Sequence, residues 1–143
     1  MLDIKNFDHI GIRISDRDTS VAFYELLGFE LIADGGFDQG HPLVMLHPSG
    51  ININLLGPAT EKPGQNVLMD EDAKYPGITH IAVKVNDAEA TEAFVTANGI
   101  GITGRREFRG TTTIFIRDPD RNVLELVGPG PSVAQLIAEH VHG

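Results

Sequence analysis

Residues 8–14 (DHIGIRI) and 79–85 (THIAVKV) alternate strictly between aliphatic positions and positions of another character. A period of two sends successive side chains to opposite faces of a strand, so Ile10, Ile12 and Ile14 share one face and His9, Gly11 and Arg13 the other. The second segment repeats the division, with Ile81, Val83 and Val85 set against His80, Ala82 and Lys84. After each strand the period lengthens. Val21, Phe23, Tyr24 and Leu27 fall at helical spacing within 18–27, as do Ala90, Phe94 and Ala97 within 88–98, and Gly28 and Gly99 follow as helix stops. Three more strands are predicted in each half, at 29–34, 41–47 and 50–57 and at 100–108, 111–117 and 121–128. The stretches "HPSG" and "DPDR" supply tight turns before the last strand of each set.

The two halves are copies of one another. Displaced by 71 positions, residues 7–58 align with 78–129 without a gap, and eleven of the 52 pairs are identical. Unrelated segments of ordinary composition would match at about one pair in seventeen. The predicted fold is therefore α+β: two tandem βαβββ modules, at 7–58 and 78–129, within one domain spanning 1–143. A linker at 59–77 joins them, and a short amphipathic helix over 131–142 closes the chain.

Composition narrows the setting. With 143 residues, 41% of them hydrophobic, and no apolar run of about eighteen, the chain is expected to form no membrane span. The absence of cysteine excludes disulfide, thiolate-metal and thiol-nucleophile chemistry, and no signal-peptide pattern is visible at the N-terminus, so a cytoplasmic location is expected. A formal charge of -9 argues against nucleic acid and anionic lipid as partners.

The aliphatic faces must be covered by the helices, which turns the histidine faces toward whatever hollow the sheets enclose. In the last strand of each module Asn52, Asn54 and Leu56 share a face, as do their equivalents Val123, Glu125 and Val127. Two histidines and a carboxylate at strand positions related by the repeat, His9, His80 and Glu125, can converge on one point. They are the donor types preferred by divalent Zn, Fe, Mn, Ni or Co, and three of them leave coordination positions open. Without a metal, the same residues would be hydrogen-bonded core histidines and a glutamate paired with Arg13 or Lys84.

The "DHIGIRISD" start, the "THIAVKVND" midpoint and the "DPDRNVLELVG" end resemble the vicinal oxygen chelate superfamily, which includes glyoxalase I, extradiol dioxygenases and bleomycin-resistance proteins. The resemblance covers 7–128. It implies a half-barrel cup of two sheets around one divalent ion held by His9, His80 and Glu125, and a metal-dependent enzyme whose substrate chelates the ion through adjacent oxygens. Glyoxalase I resembles a four-ligand design, with a glutamate where this chain has Asn54, which therefore stands beside the metal without serving as a base. Extradiol dioxygenases place a tyrosine about ten residues before the last ligand; Phe115 is found there. Isomerase or lyase chemistry is the expected reaction, with an extradiol-type dioxygenase or a metal-free small-molecule binding protein as alternatives. No base is identified beyond a metal-bound hydroxide, Glu25 or Glu107.

Arg13 and Lys84 lie on the histidine faces about 13 Å along the strand from the ligands. They are read as anchors for the carboxylate, phosphate or thioester end of a small-molecule substrate, with Phe115 as a further substrate contact, or else as partners of nearby carboxylates. Arg105, Arg106 and Arg109 form a basic cluster, read first as a solvated face and second as a substrate clamp. His41, His47, His140 and His142 are expected at the surface. A homodimer is expected, because short half-barrel sheets leave apolar edges that need covering.

Overall fold

The computed structural model describes the backbone of residues 1–142 and the side chains of residues 1–139, so the expectation for His140 and His142 lies outside the described side chains. The chain divides into two compact units, Met1–Asn66 and Val67–Gly143. The first contains β1 (Ile10–Arg13), α1 (Arg17–Leu26), β2 (Glu30–Asp34), a 3-10 turn at Phe37–Gln39, β3 (Leu43–Leu46) and β4 (Asn52–Leu56). The second contains β5 (His80–Lys84), α2 (Ala88–Ala97), β6 (Gly104–Phe108), β7 (Thr111–Arg117), β8 (Val123–Val127) and α3 (Val133–His142). Each unit folds into one four-stranded mixed sheet. The orders are β1-β4-β3-β2 and β5-β8-β7-β6, with the first pair of each parallel and the other pairs antiparallel. The class is α+β, built on βαβββ twice, as the alternation predicts.

In the first unit the aliphatic face pairs Ile12 with Leu55 and Leu55 with Leu43, all three buried, and α1 lies over it, burying Val21 and Tyr24. In the second, Ile114, Ile116, Leu124 and Leu126 form the equivalent layer beneath α2, which buries Val95. Full burial of such a side chain contributes about 1.5–3 kcal/mol. Asp16 and Asp87, which follow the first strands, are N-caps: their carboxylates accept from Thr19 N at 2.9 Å and Ala90 N at 3.0 Å. Two repeat-equivalent glycines mark a close backbone approach. A Cβ on Gly57 would lie 2.6 Å from the Ile14 carbonyl oxygen, and one on Gly128 would lie 2.6 Å from that of Thr112.

The structure departs from the sequence expectations in two segments. The strand expected at 100–108 begins only at Gly104, because Ile100 N turns back to bond Val95 O and Thr103 N bonds Phe115 O. The later part of the segment read as linker belongs to the second unit. Asp70 accepts from Arg117 Nη1 and Nη2, both at 3.0 Å, and from Arg121 Nε at 2.9 Å, which fastens it to β7 and the turn after it.

Candidate functional site

Strand pairing fixes which side chains share the face opposite the helix in the second unit. Ala82 pairs with Glu125, Glu125 with Phe115 and Phe115 with Gly104; His80, Val123 and Arg117 form the adjacent row. His80 is thus the diagonal neighbour of Glu125, within reach of a long side chain. His80 Nε2 stands 3.3 Å from Glu125 Oε2. The other carboxylate oxygen, Oε1, accepts from Arg106 Nη2 at 2.8 Å. The Glu125 side chain is only 7% exposed, whereas that of Arg106 is 56% exposed. The outer edge of the imidazole is fixed as well, since His80 Nδ1 shares a 2.9 Å hydrogen bond with the Thr79 hydroxyl.

These groups line an open hollow of about 380 Å³ whose wall includes Met69, His80, Arg106, Phe115, Arg117 and Glu125. The Arg106 guanidinium carbon lies 6.0 Å from the centroid of the Phe115 ring. The far half of the same face is covered. Val133 and Leu136 of α3 stand over Phe108, Thr113 and Val127, leaving a gap of about 20 Å³. Lys84 Nζ donates to the carbonyls of Gly128 at 2.9 Å and Pro131 at 3.0 Å, which holds the segment leading into α3. Ser132 and Gln135 then cap the helix reciprocally: Ser132 N donates to Gln135 Oε1 and Gln135 N to Ser132 Oγ. Lys84 therefore spends two of its three donors on the protein's own backbone.

In the first unit Asn54 pairs with Gly11 and Val44 on the face opposite α1, and its Oδ1 is buried with no hydrogen-bond partner. His9 lies just before β1, with Nδ1 donating to Asp8 Oδ2 at 2.6 Å. His9 and His80 are thus both held at Nδ1 by the preceding residue, which leaves Nε2 as the nitrogen open to a ligand. Among the described residues no three His, Cys, Asp or Glu side chains gather into a metal cage. Two of the expected ligands, His80 and Glu125, do come together. Two tetrahedral ligands about 2.0–2.2 Å from one ion lie about 3.3–3.6 Å apart, and His80 Nε2 and Glu125 Oε2 stand 3.3 Å apart.

The arginine cluster is split by strand alternation. Arg105 turns to the helix side and pairs with Glu92 of α2, Arg106 turns to the hollow, and Arg109 sits in the turn over the Phe108 ring. All three are exposed, as expected for a solvated cluster, but they lie on different faces. Glu107 also turns away from the hollow, toward Thr112, and Glu25 is carried by α1 on the opposite side of its sheet from Asn54. His41 is exposed as expected, but His47 is half-buried against the Phe29 ring at 5.2 Å. The sequence reading did not single out Arg117 or Met69. Arg117 was accessible to it, two residues after Phe115 on the same face; Met69 reaches the wall from a segment with no periodic signal.

Comparison with known proteins places this geometry in context. The family described as "Glyoxalase/Bleomycin resistance protein/Dioxygenase superfamily" matches residues 6–126. A curated relative, glyoxalase domain-containing protein RDO1 of Mycosarcoma maydis, is 26% identical over 131 residues, covering 87% of this chain and 69% of its own. A solved glyoxalase family protein from Enterococcus faecalis is 27% identical, with a TM-score of 0.68 over 86% of this chain and 97% of its own. TnmS3, an antibiotic binding protein from Streptomyces sp. CB03234, shares the fold at 21% identity, with a TM-score of 0.68 over 91% of this chain and 100% of its own.

Proposed function

Because the chain belongs to the glyoxalase/bleomycin resistance protein/dioxygenase superfamily, we propose that it is a metal-dependent enzyme acting on a small oxygenated substrate, with isomerase or lyase chemistry. His80 and Glu125 of the second unit, with His9 of a first unit, are its ligands for one divalent ion. The observation that carries this reading is the 3.3 Å separation of His80 Nε2 and Glu125 Oε2. It is longer than a charge-assisted hydrogen bond of about 2.7–2.9 Å and suited to two donors sharing an ion. When bound, the ion supplies Lewis acidity to two adjacent substrate oxygens.

The chain's own residues do the rest. Asp8 and Thr79 hold the two imidazoles so that Nε2 is presented in each. Arg106 fixes the Glu125 carboxylate through Oε1 and leaves Oε2 toward His80. Asn54 offers a buried carbonyl oxygen without a partner, suited to accept from a substrate hydroxyl or a water. An amide is no base, so proton transfer falls to another group. A second reading, metal-free binding of a small molecule, is favoured by one observation: Arg106 already supplies Glu125 with a cation.

The homodimer is part of the proposal. β1 and β5 are edge strands, and the repeat-equivalent residues just before them, Phe7 and Ile78, are 89% and 85% exposed. A second copy of the chain is the simplest cover for two edges of the same kind. The deciding experiment is metal analysis of protein purified without added metal, beside His80→Ala. One ion per chain that disappears in the variant supports the enzyme reading. Protein that is metal-free, and that takes up no Zn, Fe, Mn, Ni or Co on titration, leaves the binding-protein reading. Sedimentation at micromolar concentration tests the dimer.

A further inference from the structure

We propose that the hollow in the second unit selects a small carboxylate, gripped by Arg106, with an unsaturated or aromatic body lying on Phe115 and Met69. This rests on the reading of His80 and Glu125 as the working edge of the site and names the class of molecule that would lie against it. The protein as a whole carries a charge of -9, yet at this hollow Arg106, Arg117 and Arg121 stand against only Glu125 and Asp70. Asp70 is paired with both Arg117 and Arg121, so it leaves one guanidinium charge in excess. The local field therefore opposes the global one, and an anion that the rest of the surface repels is accepted here.

Arg106 is the group equipped to hold it. A guanidinium has five N–H donors in a planar fork. Among the described residues Arg106 gives one of its nitrogens, Nη2, to Glu125, while its side chain remains 56% exposed. Arg105 turns to the other face and directs Nη1 and Nη2 to Glu92, and Arg117 directs both Nη1 and Nη2 to Asp70. One fork with open donors fits one planar carboxylate, whereas a phosphate calls for more donors than this wall leaves free. The remainder of the wall is apolar, with Met69, Phe115 and Val123, and the Phe115 ring beneath the guanidinium suits a flat neighbour. α3 limits length, because it covers the face beyond Glu125 and Lys84 holds it there.

Calorimetric titration of the chelator-treated protein with benzoate and with benzamide, its neutral isostere, tests this directly. Benzoate should bind at least about tenfold more tightly than benzamide, and Arg106→Gln should remove that advantage, as expected for the loss of a charged hydrogen bond. Arg106→Lys, which keeps the charge without the fork, should recover only part of it. Circular dichroism of the variants establishes that they are folded. Equal affinity for the two probes, no benzoate binding in the millimolar range, or an unchanged preference in Arg106→Gln would each overturn the inference. The metal proposal stands or falls separately, on metal content measured before chelator treatment and on metal uptake afterwards. Metal retained without benzoate preference defeats only the inference, and benzoate preference in protein that takes up no metal defeats only the enzyme reading.

Discussion

Arg106 and Glu125 form an ion pair of unequal burial, 56% exposed on the cation side and 7% on the carboxylate side, at 2.8 Å. The asymmetry sets what each deletion does. Removing the exposed arginine strands a buried carboxylate, whereas removing the carboxylate merely returns an arginine to water. Arg106→Gln should therefore lower stability by about 1–2 kcal/mol. A divalent ion that takes over Glu125 would restore the loss, so added zinc should raise the melting temperature more in the variant than in the wild type. Thermal melts with and without zinc check this; equal zinc shifts would separate Glu125 from the metal.

Lys84 holds the C-terminal segment rather than its own sheet. Lys84→Met should leave the exchange of β5 and β8 amides close to wild type while amides of α3 exchange about tenfold faster or more, since two charge-assisted bonds to Gly128 and Pro131 are lost. Hydrogen exchange read by mass spectrometry on peptides from 131–139 distinguishes this from general destabilisation.

Asp70 makes part of the stability of the second unit dependent on pH. Its hydrogen bonds with Arg117 and then Arg121 hold its pKa below the usual aspartate value. A lowered folded pKa means that the unfolded chain takes up the proton first. The contribution is therefore complete above the unfolded pKa, about 4, and is lost as pH falls through the folded value. Urea unfolding of Asp70→Asn should show a stability deficit at pH 6 that narrows steadily below pH 4. A deficit constant with pH would mean that the ion pairs contribute nothing.

Gly57 and Gly128 occupy equivalent positions in the repeat and both lie against a backbone carbonyl, but of different elements, Ile14 after β1 and Thr112 of β7, and Gly57 also faces the Phe37 ring, so Gly57→Ala should cost more. Each alanine variant must relieve a contact of 2.6 Å to a carbonyl oxygen, at a cost of about 1–3 kcal/mol. Chemical denaturation of Gly57→Ala and Gly128→Ala measures this, with Gly101→Ala, which meets nothing within 4 Å, as the neutral reference.

The fold was readable because its two periods are clean: Ile10, Ile12 and Ile14 against His9, Gly11 and Arg13 state a half-buried strand, and the repeat at His80 states it again. The position of Glu125 beside His80 was also accessible, since alternation and parallel pairing put both on one face. What the sequence hid was how charges pair. Arg105 and Arg106 are neighbours in the chain with opposite destinations, and only the register of β6 against β7 decides which one meets Glu125. The role of Lys84 was hidden for a related reason. Its partners are backbone carbonyls 44 and 47 residues away, and carbonyls leave no mark in a sequence.

The position of α3 bears on how such a protein can change. Everything that builds the two sheets lies inside the duplicated segments, and a substitution there disturbs a core. α3 lies beyond them, has no helical counterpart after Pro58 in the first copy, and buries Leu136 to 6% exposure on the face that it covers. Variation along its ten residues can lengthen or shorten the space beside Glu125 while both modules keep their packing. Adaptation to a new ligand is thus free to proceed in a tail, without renegotiating the architecture that holds the reactive groups.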